Sequence, residues 1–300
     1  MASSSVTAQP ASKTALGPPP SPPRIEVIGH ASGVDLAELG PDFVQPWLAA
    51  LRDALGCTGA APTRVEHHDP ASGHHTRTTF RYDEAGRRLE AHTATRRDTG
   101  WVPTRRTTYR YQRGRLASFH EAIWTGNAWQ PEHRWTVCYD EQGRLARATQ
   151  HIRPGSASGW VPATQLRLTD GADAYRIEQH VREGSTWAPV ARATFTAAAG
   201  ETRVIQEVDL WGETGWSPGS RTTLTYGVAG RPIEAHTTLW TSTHWAEGPQ
   251  QLYTHVLRGK RVVRSTETWM GTLHLGTRTA TFTYATPPAD PLLLGDQGVE

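Results

Sequence analysis

From residue 78 to residue 285 apolar and polar side chains alternate in short runs, and the alternation restarts with each of about seven units. The opening run of each unit reads TTFRYD (78–83), TTYRYQ (107–112), RWTVCYD (134–140), TQLRLT (164–169), RATFTA (192–197), TTLTYG (222–227) and TATFTYA (279–285). Phe80 and Tyr82, Tyr109 and Tyr111, Leu166 and Leu168 mark one face, and Arg81, Arg110 and Arg167 mark the other. A period of two with one wet face is the signature of a half-buried antiparallel strand. A tight turn follows each run, as in DEAG (83–86), DEQG (140–143) and GVAG (227–230), where glycine supplies positive φ. Second strands then run through RLEAHTATR (88–96), RLASFHEAIW (115–124), RPIEAHTTLW (231–240) and RVVRSTETW (261–269).

Tryptophan measures the repeat. Trp101, Trp129, Trp160, Trp187, Trp216 and Trp245 stand 28, 31, 27, 29 and 29 residues apart. Proline follows two positions after the first five, at Pro103, Pro131, Pro162, Pro189 and Pro218. The spacing predicts an all-β chain of tandem antiparallel hairpins, about 14 to 16 strands in all. At ~4.8 Å per strand such a sheet is roughly 70 Å long and must twist. The expected form is a long twisted or spiralling meander sheet, although a trough or a closed ring also satisfies the twist.

Outside the repeats the pattern changes. Residues 1–23 are rich in Ser, Ala and Pro and predict a disordered tail, since they bury too little apolar surface to offset ordering entropy. Within 24–60, RIEVIG (24–29) predicts a short strand and PDFVQPWLAALRDALG (41–56) an amphipathic helix. That helix is expected to cap the first open edge of the sheet. The hairpin array occupies 61–285, and 286–300 forms a C-terminal tail.

Composition narrows the function classes. Lys and Arg total 31 against 29 Asp and Glu, for a net charge of +2. The basic residues are scattered, so nucleic acid is not an expected partner. The two cysteines, Cys57 and Cys138, fit no metal or redox spacing. No run of 18 apolar residues is present, so no transmembrane helix is expected. No secretory signal is recognisable either, which leaves the cytoplasm as the default place. GxSxG, P-loop and HExxH motifs are all missing, and no enzyme activity or cofactor is expected.

Two features carry candidate chemistry. WTGNAW (124–129), WGETGW (211–216) and WTSTHW (240–245) place paired indoles across a hairpin, while Arg96 and Arg182 stand opposite Trp101 and Trp187. These pairs close the hairpins. Stacked in register, Trp101, Trp129, Trp160, Trp187, Trp216 and Trp245 would also line one rim at ~9–10 Å intervals, a platform for a glycan or a protein partner. The second feature is HHDPASGHH, in which His67, His68, His74 and His75 flank a turn beside Asp69 and form a candidate metal site. A wet face of Arg, Thr and Glu, including Glu90, Glu121, Glu178, Glu207, Glu234 and Glu267, is expected to pair into Arg–Glu rungs.

YDEAGRRL (82–89) and YDEQGRLA (139–146), with YGVAGRPI (226–233) as a weaker copy, resemble the core of YD repeats in Rhs-like bacterial proteins. The resemblance covers about residues 63–285. It implies hairpins coiled into a β-sheet shell and a secreted or surface-exposed protein. These units are longer than the usual YD repeat and carry the added Trp turn, and no toxin domain is expected with them. The expected function is a non-catalytic scaffold or binding module that presents the Trp rim and the Arg/Glu/Thr face. A membrane β-barrel is one alternative: sixteen amphipathic strands suit it in number and length, but mid-strand Arg and Thr make insertion unlikely. A metal-dependent enzyme built on the His67–His75 cluster is the other.

Overall fold

The computed structural model describes residues 62–153, 159–171, 174–197, 203–227 and 232–285. In chain order the strands are β1 (Pro62–Asp69), β2 (His74–Tyr82), β3 (Arg88–Arg97), β4 (Gly100–Gln112), β5 (Arg115–Trp124), β6 (Trp129–Tyr139), β7 (Leu145–Ile152) and β8 (Val161–Asp170). They continue as β9 (Ala174–Glu183), β10 (Thr186–Ala197), β11 (Arg203–Gly212), β12 (Gly215–Tyr226), β13 (Pro232–Trp240), β14 (Trp245–Arg258), β15 (Arg261–Met270) and β16 (Leu273–Tyr284). Each pairs antiparallel with the next, and β1 pairs with β16, so the sixteen strands form a closed barrel.

Closure corrects the expected architecture. The sheet is neither an open meander nor a spiral, and the units do not coil into the scaffold shell that the YD resemblance implied. Tyr284, Phe282 and Ala280 stand opposite Pro62, Val65 and His67. The first strand therefore has no open edge for a helix to cap. The helix expected at 41–56, the strand at 24–29 and both tails lie outside the described residues. The physical reason for closure is general: a ring pairs every edge N–H and C=O, which a meander of any length leaves bare at its two ends.

A closed ring has only two faces, and burial tells them apart. Phe119, Trp135, Leu166, Ile177 and Leu224 are 0–1% exposed and share one face through the register of the ladders. They line the inside and belong to one apolar cluster that extends from Ala91 to Tyr253. Such exposures leave no open water column against that layer of the wall. The outward face carries Arg81, Arg110, Arg147, Arg167 and Arg221, all exposed. Rungs form there as expected: Arg192 Nε lies 2.7 Å from Asp209, Arg221 Nη2 lies 2.6 Å from Glu207, and Arg81 lies 3.5 Å from Glu90.

The YD turns are built locally. Asp83 accepts hydrogen bonds from the backbone N–H groups of Ala85 and Arg87 and from Arg87 Nε, at 3.0, 2.8 and 2.7 Å. Asp140 accepts from the N–H and Nε of Arg144 at 2.7 and 2.8 Å. Gly86 and Gly143 take φ of 76° and 78°, and a Cβ on Gly143 would collide with the Arg115 guanidinium. The Arg87 and Arg144 backbone N–H donors, helped by their side chains, hold both carboxyls below the usual aspartate range. A carboxyl depressed in the folded state contributes stability above its unfolded pKa and loses it as pH falls through the lower, folded value. We expect an NMR titration to give both aspartates midpoints below the ordinary value, with faster amide exchange at Gly86 and Gly143 in Asp83→Asn and Asp140→Asn. Ordinary midpoints would mean these bonds do not hold in solution.

Candidate Trp belt

The Trp-x-Pro signature sets the site through a shift of strand register. Ladder register slips just after the proline in the hairpins of Trp101, Trp129, Trp160, Trp187 and Trp216. Proline has no N–H to give the ladder and is tolerated at such bulges. One extra residue inverts the in–out alternation. His133 and Trp135 therefore point inward with Phe119, while Trp129 pairs with Trp124 on the outside. Without the bulge, Trp129 would share a face with Trp135.

Outward placement is confirmed by the neighbours. Arg77, Arg106, Arg192 and Arg221 all lie on the outer face, and their guanidinium carbons sit 4.4, 5.2, 4.7 and 5.2 Å from the rings of Trp101, Trp129, Trp216 and Trp245. Arg153 covers Trp160 at 4.8 Å, and Arg182 reaches Trp187 at 5.8 Å. The expected Arg96–Trp101 pair is present at 5.9 Å, but Arg77 is closer. Paired indoles meet as read from the sequence, with centroids 5.2, 5.1 and 5.3 Å apart at 124/129, 211/216 and 240/245. His92 and His120 add edge contacts to Trp129 and Trp160. The result is a belt of half-exposed indoles outside one rim, each against a cation, with Trp101, Trp129, Trp216 and Trp245 also held by a separate hairpin partner. Arg77, Arg106, Arg192 and Arg221 escaped the sequence reading. Their signal was a spacing of 23 or 24 residues ahead of the Trp they cover, hidden because the contact skips to another hairpin.

The other candidates fare differently. The His67–His75 hairpin forms, with His68 opposite His75 and Asp69 opposite His74. Alternation then divides the four histidines between the two faces. His68 and His75 stack at 5.0 Å on the outside, and His75 meets Trp101 edge-on at 4.8 Å. Asp69 is engaged by Ser72 and by Arg278. Among the described residues no group of three or more His, Cys, Asp or Glu is placed to hold a metal. Glu121, expected on the wet face, is inside and 6% exposed, beside Arg105 at 3.2 Å and His133 at 3.5 Å. Cys138 is a free, exposed thiol.

No family model and no curated protein matches this chain. Solved structures with a similar course include a porin-like protein from Bacteroides uniformis, at 11% identity and TM-score 0.48, covering 75% of this chain and 97% of that one. A porin-like protein from Bacteroides vulgatus matches at 11% identity and TM-score 0.42, covering 75% and 98%. A protein of unknown function from Bacteroides fragilis matches at 14% identity and TM-score 0.36, covering 39% and 91%. Two expectations from the sequence are corrected here. Unlikely membrane insertion rested on mid-strand Arg and Thr and on the missing signal, and a cytoplasmic place by default rested on the missing signal and apolar helix. No described helix is long and apolar enough to cross a membrane, but a closed antiparallel barrel of even strand number is the form in which strands enter bilayers. Neither expectation stands on this fold.

Proposed function

We propose that this chain is a β-barrel membrane protein that meets the bilayer through its outward Trp belt and acts without catalysis. The observation that carries the reading is the belt itself, set outside one rim of a barrel with no unpaired edge. Indole combines an apolar body with one N–H donor and partitions to the membrane–water interface. The stacked arginines suit the same depth, since their stems lie along apolar surface while their heads reach water or phosphate. Further along the wall, Arg81, Arg110 and Arg147 project outward. Each such charge costs about 2–4 kcal/mol at a bilayer midplane. The belt therefore lies at the interface, with these arginines within reach of lipid phosphate.

The test is flotation of the full chain with phosphatidylcholine vesicles, followed by Trp fluorescence. Co-flotation with a blue-shifted emission, both reduced in Trp129→Ala/Trp216→Ala/Trp245→Ala, is the expected result. A chain that stays at the bottom of the gradient overturns the reading. A second reading is favoured by the regular exposure of the indoles: a platform for sugar rings. Binding to a neutral polysaccharide that depends on the same three residues, with no flotation, would select it.

A further inference from the structure

One sector of the outer wall differs from the rest. On β4 to β8 the outward register positions include Arg106 and Arg110, His120, Arg134, Arg147 and His151, and Arg167. No carboxylate occupies an outward position among the described residues of these strands. Glu90 on β3 and Glu178 on β9 flank the sector, the latter opposite Arg167. Other carboxylates nearby lie off it: Glu121 is inside, Glu132 turns to Arg105 and His133, Asp140 is held by Arg144, and Glu141 sits in the turn beyond β6. Elsewhere on the wall Arg192 faces Asp209 and Arg221 faces Glu207, while Arg258 stands opposite Arg261 at one hairpin end.

Inside this sector one pair of like charges is set against each other: Arg147 stands directly opposite Arg167. Like charges directly opposite across a ladder are destabilising. What partners these side chains have is weak or neutral: Arg147 Nη2 lies 3.7 Å from Cys138 Sγ, and Arg167 Nε donates to Gln165 Oε1 at 2.9 Å. Five strands place the charges across ~19 Å and on several rungs. That is a two-dimensional array, suited to a surface of anions more than to one linear chain. Trp101, Trp124, Trp129 and Trp160 border the same sector at the rim.

We infer that the β4–β8 wall is the side of the barrel that faces an anionic phospholipid surface, its arginines engaging lipid phosphates while the adjoining indoles enter the interface. The inference rests on the membrane reading above and adds the lipid class and the orientation. Each arginine near an anionic membrane contributes on the order of a few-fold in affinity, and the contributions multiply. Arg110, Arg147 and Arg167 are exposed, so their neutralisation removes charge without opening the core.

The experiment compares binding of the full chain to vesicles of phosphatidylcholine alone and of phosphatidylcholine with phosphatidylglycerol in equal parts, at low and high salt. Wild type and Arg110→Gln/Arg147→Gln/Arg167→Gln are measured side by side, with circular dichroism as the folding control. A control variant, Arg203→Gln/Arg258→Gln/Arg261→Gln, removes the same charge from β11, β14 and β15, away from both the sector and the belt. The expected result is at least tenfold preference for anionic vesicles at low salt, lost in the β4–β8 variant and retained in the control. Equal binding to both lipids, or equal losses in both variants, overturns the inference and leaves the membrane reading intact. No binding to either lipid removes both. Tighter, saturable binding to soluble heparin that blocks vesicle binding also overturns it, in favour of a polyanionic chain.

Discussion

Trp135→Ala is expected to destabilise the barrel by about 3–5 kcal/mol, whereas Trp129→Ala, six residues earlier on the same strand, costs only about 0.5–1.5 kcal/mol. The difference follows from the bulge between them. Trp135 is 1% exposed and stacks on Phe119 at 5.6 Å with an interplanar angle of 11°. Truncation there removes a large apolar side chain and leaves a cavity between β5 and β6 that rigid ladders cannot close. Trp129 is half-exposed and loses a tilted contact with Trp124 and the cover of Arg106. For a domain of this size the core variant should melt roughly 6–20 °C lower. Guanidinium unfolding followed by far-ultraviolet circular dichroism measures both. Equal losses would mean that the two indoles share a face, and the assignment of the Trp belt to the outside would fail.

Val65→Asp is expected to open the ring. Val65 is 7% exposed on the inner face of β1, between Phe282 of β16 and Thr78 of β2. A carboxylate there is buried beside Phe282 and Thr78, a change that costs upwards of ~4 kcal/mol when no charged partner is at hand. The damage falls on the strand whose pairing joins the two ends of the array. If β1 leaves β16, two bare edges appear at once, and edges of that length pair with other chains. The outcome to measure is self-association on size exclusion, with amide protection lost first in β1 and β16. Thr281→Ala, outward on β16, should leave the ring closed. A monomeric Val65→Asp protein with β1 amides still protected would mean that the seam does not hold the ring together.

Much of the site was legible because its causes are local. The hairpin pairing of Trp124 with Trp129 follows from loop length, and the turn at Asp83 follows from a carboxylate in reach of two N–H groups. The metal candidate at His67, His68, His74 and His75 was limited by the same local rule, since alternation sends neighbours to opposite faces. Glu121 was misplaced because its row was assumed to keep one phase. Its neighbours across the ladder, Thr107 and His133, are inward positions, and Arg105 meets it from the next rung.

What the sequence determined by itself was the hairpin alternation from 78 onward with the strands it named, the glycine turns and the interval of the Trp units, because φ preferences and a period of two act between residues near in the chain. What only the tertiary structure decided was closure, the outward turn of the belt and the sorting of charge into one sector. Closure depends on Pro62 meeting Tyr284, a contact between chain positions that no repeat of fixed period can encode. The belt and the sector depend on single-residue bulges summed around sixteen strands, and each bulge reverses which side chains face water.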